Sequence, residues 1–318
     1  MKKKLIALLL VFTIILPFAA CSKKTNSSQT SQTASSSVSI QMPEKDRAGN
    51  SIDVPKNIDS IISLAPSVTQ TLVDLGLGDK IAAIDTNSAT VEGIKKDLPA
   101  FDMMKPDAEK LVNMKPSIIF ATNISLINGK DAFKTMKDLG ICIASIPTSN
   151  SIQGIRDDIT FISQVTQTAD KGKKLIENMD KEIEKIENIG KTITDKKKVY
   201  FEIAAAPEIY SFGKDVFLNE MINIIGAENV FADKKGWIAA EPEIVVNLNP
   251  DVILTNVNYI ENPTKEILSR SGWENMKAVK DKQVYYIDNI ASSIPNHNIV
   301  KALKEMAKAV YPDKYKDE

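Results

Sequence analysis

The longest periodic pattern in the chain runs over 167–194, QTADKGKKLIENMDKEIEKIENIGKTIT. Ala169, Ile176, Met179, Ile183, Ile186 and Ile193 step by three, four or seven, and Lys, Glu and Asp fill most of the positions between them. That period lays one narrow apolar stripe along one side of a helix. Gly172 and Gly190 interrupt the stripe, and no proline does. At 1.5 Å per residue the helix is about 40 Å long, roughly the width of a domain. A coiled-coil partner helix is the plain alternative, but the stripe is short for one and carries two glycines. The pattern predicts an intramolecular linking helix over 167–194 with one lobe at each end.

Both flanks read as mixed α/β. Before the helix, short apolar runs at 60–65, 80–85, 117–121 and 141–146 have strand character. Helical stretches follow at 67–75, 107–114, 131–139 and 151–165. Ser67 with Gln70 forms a capping-box pattern for the first of them. After the helix the alternation repeats, with strands at 198–204, 251–255 and 283–287 and helices at 215–225, 242–248, 264–270 and 298–310. Strands alternating with helices at this spacing predict mostly parallel sheets covered on both faces. The fold class is therefore α/β, with two Rossmann-like lobes at 43–166 and 195–318 joined by one helix.

The N-terminus has a different character. MKKK precedes the apolar run LIALLLVFTIILPFAA, which is short for a membrane span and leads at once into Cys21, Ser22, Lys23 and Lys24. Phe-Ala-Ala-Cys after an apolar run resembles a bacterial lipobox, which implies cleavage after residue 20 and lipid on Cys21. The Ser/Thr/Gln-rich stretch up to about residue 42 has no apolar period and reads as a flexible tether. The folded part is thus expected on the outer face of the cytoplasmic membrane, held there by lipid.

Composition removes several function classes. With 40 basic and 41 acidic residues the chain has no basic excess for nucleic acid. One histidine, His297, rules out a multi-histidine metal site. No G-x-S-x-G, H-E-x-x-H, P-loop or G-x-G-x-x-G is present. Cys142 in LGICIAS reads as a buried thiol, so the lobes must be stable without a disulfide.

One repeat carries the functional reading. DAEKLVNMKPSIIFAT (107–122) and EPEIVVNLNPDVILTN (241–256) each set a glutamate seven residues before a proline that opens an apolar strand. Glu109 and Glu243 therefore occupy equivalent first-turn positions in two lobes. A favourable helix dipole explains either one alone; the pairing in register asks for more. These segments, with ISLAPSVTQTLVDLGLGDKIAAID (62–85), resemble the cobalamin, ferric-siderophore and haem class of ABC-importer substrate-binding lipoproteins, over nearly the whole chain from about residue 45.

The resemblance implies a ligand cleft between the lobes at the C-terminal ends of the strands. It implies that Glu109 and Glu243 dock onto arginines of a dimeric permease served by a cytoplasmic ATPase. It places Trp237 at a cleft position and Met103 and Met104 in the segment where haem-binding relatives carry an axial methionine, with His297 a conceivable second iron ligand. Ser67, at a helix N-terminus, and Tyr210 and Phe212, as stacking residues, complete the candidates. Only Arg47, Arg156 and Arg270 are arginines, and none gathers into a cluster for a strongly anionic tris-catecholate. The expected protein is a monomeric, non-enzymatic receptor without an intrinsic cofactor. Its ligand is an iron complex, either a ferric siderophore or haem. Cobalamin is the alternative within the same class; an enzyme on this fold and a lipoprotein sensor or adhesin are more remote.

Overall fold

The computed structural model describes residues 42–122, 126–127 and 130–318. The leader, Cys21 and the tether through residue 41 lie outside the described residues. The first lobe runs β1 (Ile61–Ser63), α1 (Pro66–Asp74), β2 (Ile81–Asp85), β3 (Ala100–Phe101), α2 (Ala108–Asn113) and β4 (Ile118–Ala121). It continues through the paired β5 (Leu126–Ile127) and β6 (Lys130–Asp131), α3 (Lys134–Asp138), β7 (Cys142–Ser145) and α4 (Ile152–Val165). Five of these strands make a parallel sheet in the order β3-β2-β1-β4-β7. Its strands are buried on both faces, as their continuous apolar runs require. The Cys142 thiol is buried, which, with Asp53 and Asp46 nearby, pushes its pKa up to about 11.

After α5 (Ala169–Gly190) the second lobe runs β8 (Lys198–Glu202), β9 (Tyr210–Phe212), α6 (Phe217–Ile224), β10 (Glu228–Asn229), β11 (Trp237–Ala239) and α7 (Pro242–Leu248). Then come β12 (Val252–Thr255), α8 (Pro263–Leu268), α9 (Lys277–Lys280), β13 (Val284–Tyr286), α10 (Asn289–Ser293) and α11 (Ile299–Val310). The parallel order is β10-β8-β12-β13, and β9 and β11 form a separate antiparallel ribbon.

Two local expectations change. Ser67 is no cap: Pro66 opens α1, Ala65 stands at the cap position without a side-chain bond, and Gln70 donates to Asp74 instead. Proline's fixed φ supplies the helix start that the capping box was expected to supply. The long helix is also no bare strut between lobes. Its buried face is Gly172, Met179, Ile183, Ile186 and Gly190, so the two glycines belong to the stripe. Each marks a close approach: a Cβ on Gly172 would lie 2.2 Å from Ser163 Oγ, and one on Gly190 would lie 2.1 Å from the Ile224 carbonyl oxygen.

The second lobe's core consequently reaches across the seam to take in one end of α4. Ile152, Ile155 and Ile159 of α4 join Met179, Ile183 and Ile186 of α5 and the apolar faces of α6, α11, β8 and β12. The other half of α4, through Phe161, Ile162 and Val165, packs into the first lobe with α1 and β1. Polar ties follow the same seam. Glu220 accepts from the Ile152 amide at 3.0 Å, and Arg156 pairs with Asp180 at 2.8 Å. The Tyr315 hydroxyl donates at the α5 and α6 ends, with the Ile225 carbonyl at 3.0 Å and that of Ile186 at 3.3 Å.

Gly190→Ala tests this seam directly. Overpacking there is expected to lower unfolding free energy by about 1–3 kcal/mol, read as a fall in urea midpoint; an unchanged midpoint contradicts the contact.

Candidate functional site

The sequence repeat is a structural repeat. Glu109 lies in the first turn of α2, whose N-cap Asp107 accepts from the Lys110 amide at 3.1 Å. Glu243 lies in the first turn of α7, begun by Pro242. Both helices end in a left-handed residue, Lys115 at φ 48° and Asn249 at φ 45°, followed by a buried proline and a strand. Glu109 and Glu243 are both exposed. Since α2 and α7 lead down into parallel strands, both glutamates stand at the level where the strands of their own lobes end.

On the first lobe, Asp85 organises that rim. It is wholly buried at the end of β2; one oxygen accepts from the Asn87 amide at 2.8 Å and the other from the Met103 amide at 3.3 Å. Beneath it the hydroxyls of Ser63, Thr69 and Ser88 form a buried chain with spacings of 2.8 and 3.0 Å. The Met103 backbone is thus tied to the sheet, and its side chain packs on the outer core with Phe101 and Leu111. Met104 turns outward and is 56% exposed.

On the second lobe, the ribbon β9–β11 pairs Trp237 with Phe212 and Ala239 with Tyr210. Trp237 is 50% and Tyr210 is 40% exposed. Phe212 is fully buried, so it is a support and not the stacking residue expected: Trp237 meets it edge-on with centroids 6.0 Å apart. Trp237 lies six residues before Glu243, and Met103 lies six before Glu109. The two lobes thus present their candidate ligand contacts from equivalent stretches.

Ser67 and His297 sit elsewhere, along the seam. Ser67 lines a crevice of about 10 Å³ with Thr71, Asp158, Pro295 and Asn296, room for no more than about one water. His297 Nε2 lies 2.8 Å from Asp74 Oδ2 and the ring is only 11% exposed. Burial pushes the Asp74 carboxyl up, but hydrogen bonds from His297 and Gln70 outweigh it and hold the pKa below its usual value. Asp74 is the ninth and last residue of α1, so this tie lies about 12 Å down the helix from its start at that rim. The structure does not bring His297 together with Met104.

The sequence reading missed what fixes the end of β8. Glu202 is buried there and takes both arms of Arg270, at 2.7 and 2.9 Å. Arg270 also pairs with Glu266 and lies 4.2 Å over the ring of buried Trp273. Burial raises the Glu202 pKa, and the Arg270 hydrogen bonds do not fully offset it. Gly213 and Gly236, which meet at the inner ends of β9 and β11, were the available signal for the ribbon; nothing local to Glu202 pointed to Arg270, which lies 68 residues away.

Known proteins resemble the chain along most of its length. The family model described as "Periplasmic binding protein" matches residues 61–291. The ABC transporter substrate-binding lipoprotein YvrC of Bacillus subtilis strain 168 is 32% identical over 274 residues, covering 86% of each chain. The high-affinity heme uptake system protein IsdE of Staphylococcus aureus is 25% identical over 265 residues, covering 80% of this chain and 88% of its own. A crystal structure of a periplasmic solute-binding protein from Staphylococcus epidermidis ATCC 12228 superposes with a TM-score of 0.71 at 30% identity, covering 80% of this chain and 100% of that one.

Arg270→Leu strands the buried Glu202 carboxylate and is expected to cost about 3–5 kcal/mol at pH 7.5. Without its partner the carboxyl binds a proton more readily folded than unfolded, so stability rises as pH falls toward 5 and the deficit shrinks. Urea midpoints at both pH values check this; an equal deficit at each contradicts it.

Proposed function

We propose a specific cargo and delivery route for this chain, which belongs to the periplasmic binding protein family. It captures an iron complex, a ferric siderophore or haem, outside the cytoplasmic membrane and hands it to an ABC permease. The observation that carries the cargo is the pair of equivalent rims, with Met104 on one lobe and Trp237 with Tyr210 on the other, all large apolar side chains left open at strand ends. Trp237 and Tyr210 lie together on one ribbon, and grouped aromatics of that size suit contact with a ligand. An iron ion that arrives wrapped in its own chelator needs packing surface and a few hydrogen bonds, which is what these rims offer. The haem-uptake relative supports the same cargo class.

Within this reading Met104 is the first-lobe candidate to approach haem iron, and His297 contributes only by leaving Asp74. Ser67 acts through the seam, next to the second lobe's Pro295. A half-exposed Trp237 beside Tyr210 also suits the flat face of a corrin, so cobalamin is the second reading. The chain binds and releases its cargo without chemistry, as a monomer with no cofactor of its own. Its anchor is lipid on Cys21, in keeping with a relative that is itself a lipoprotein.

Glu109 and Glu243 are the proposed docking points. Two exposed carboxylates on one repeated helix-to-strand unit match a two-fold permease that presents the same basic side chain twice. They set register and encounter rate more than cargo affinity. In cells that depend on this protein, Glu109→Ala with Glu243→Ala is expected to abolish iron-complex uptake while the purified variant binds cargo with unchanged Kd. Unchanged uptake in the double variant overturns the docking assignment, and a weakened Kd moves the two residues to the cargo site.

A further inference from the structure

We infer that Tyr259 is a third cargo-contacting aromatic, one that extends the Trp237–Tyr210 surface from the β9–β11 ribbon to the end of β12; this rests on the cargo reading above. The strand order carries it. β11 pairs with β9, and β9 is bonded to the segment after β8, where the Ile203 amide donates to the Tyr210 carbonyl at 2.9 Å and the Tyr210 amide to the Ala204 carbonyl at 3.2 Å. β8 in turn pairs with β12, with Glu202 opposite Thr255. Tyr259 lies four residues beyond β12. Four neighbouring backbone segments at about 4.8 Å spacing span roughly 15 Å.

Tyr259 is 66% exposed, the most exposed large apolar or aromatic side chain among the described residues. Yet it is not free to swing. The Ala205 amide donates to its hydroxyl oxygen at 2.8 Å. With its oxygen so engaged, the residue offers mainly the carbon face of its ring. The hydrogen bond ties the loop after β12 to the loop after β8, so part of the ordering cost is met before cargo arrives. Where these segments pair they carry small side chains at Ala204 and Ala239, while Glu208 is exposed in the turn before Tyr210. Aromatic rings separated by alanines make a broad, shallow, apolar surface, which fits a large planar ring system better than a compact, polar chelate.

The test compares Tyr259→Ala, Tyr259→Phe and Trp237→Phe in the full chain, with haemin and cyanocobalamin as probes and ferrichrome as a compact control. Haemin is followed by its Soret band and the other two by equilibrium dialysis. Tyr259→Ala is expected to weaken the planar probe that the wild type binds by about tenfold. Tyr259→Phe, which keeps the ring and loses the tie, is expected to fall between. Both Tyr259 variants lose the acceptor of the buried Ala205 amide, so both are expected to unfold at a somewhat lower temperature, and the contrast between them reads the ring alone. An unchanged planar-probe Kd in Tyr259→Ala overturns the assignment, even where Trp237→Phe weakens binding and the cleft reading stands. Wild type that binds ferrichrome and neither planar probe overturns the planar surface but not the iron-complex reading. Binding of none of the three sinks both.

Discussion

The whole arrangement depends on one packed seam, the face of α5 pressed against α4 on one side and α6 and α11 on the other. Gly172 and Gly190 let backbones approach where any side chain would collide. The apolar stripe between them belongs to the second lobe's core, which takes in one end of α4. Tyr311 and Tyr315 close its far end on the Gly226 and Ile225 carbonyls. Interiors packed in this way switch between discrete arrangements more readily than they deform continuously. The seam therefore sets where each lobe's strand ends stand, and rigid elements carry the exposed rims.

On that frame the two lobes are alike in backbone and unlike in side chain. Each has the short helix, the left-handed residue before a buried proline, and the strand that follows. Each carries a glutamate in the same first turn. Six residues upstream, however, one lobe has Met103 beside Met104 and the other has Trp237 beside Ile238. The shared features suit a partner that is itself two-fold; the differing ones suit a cargo that is not. Buried charge serves the same end, as Asp85 fastens the methionine segment by its main chain and Arg270 holds Glu202 at the end of β8.

Much of the frame was legible in the chain because it rests on local pattern. Hydrophobic period marked the alternating strands and helices, and proline spacing marked the repeat that holds Glu109 and Glu243. The face that a residue turns to its neighbours was less legible. Phe212 and Tyr210 are two positions apart on one strand, and only the partner strand, with Trp237 lying over Phe212, decides that one is core and the other rim. His297 was a conceivable iron ligand by sequence, but Asp74, 223 positions earlier, holds it at the seam. The glycines of α5 looked like interruptions because spacing alone cannot show how closely a neighbouring backbone approaches. Tyr259 drew no notice, since its partner is a main-chain amide far along the chain.

Capture of an iron complex at these rims can be read by tryptophan fluorescence, because Trp237 is half exposed while Trp273 is buried beneath Arg270. The purified protein is titrated in parallel with haem, ferric hydroxamate siderophores and cobalamin. Saturable quenching by one iron complex at sub-micromolar concentration is expected, and its loss in Trp237→Phe. Quenching by cobalamin alone, or by none of the ligands, contradicts it.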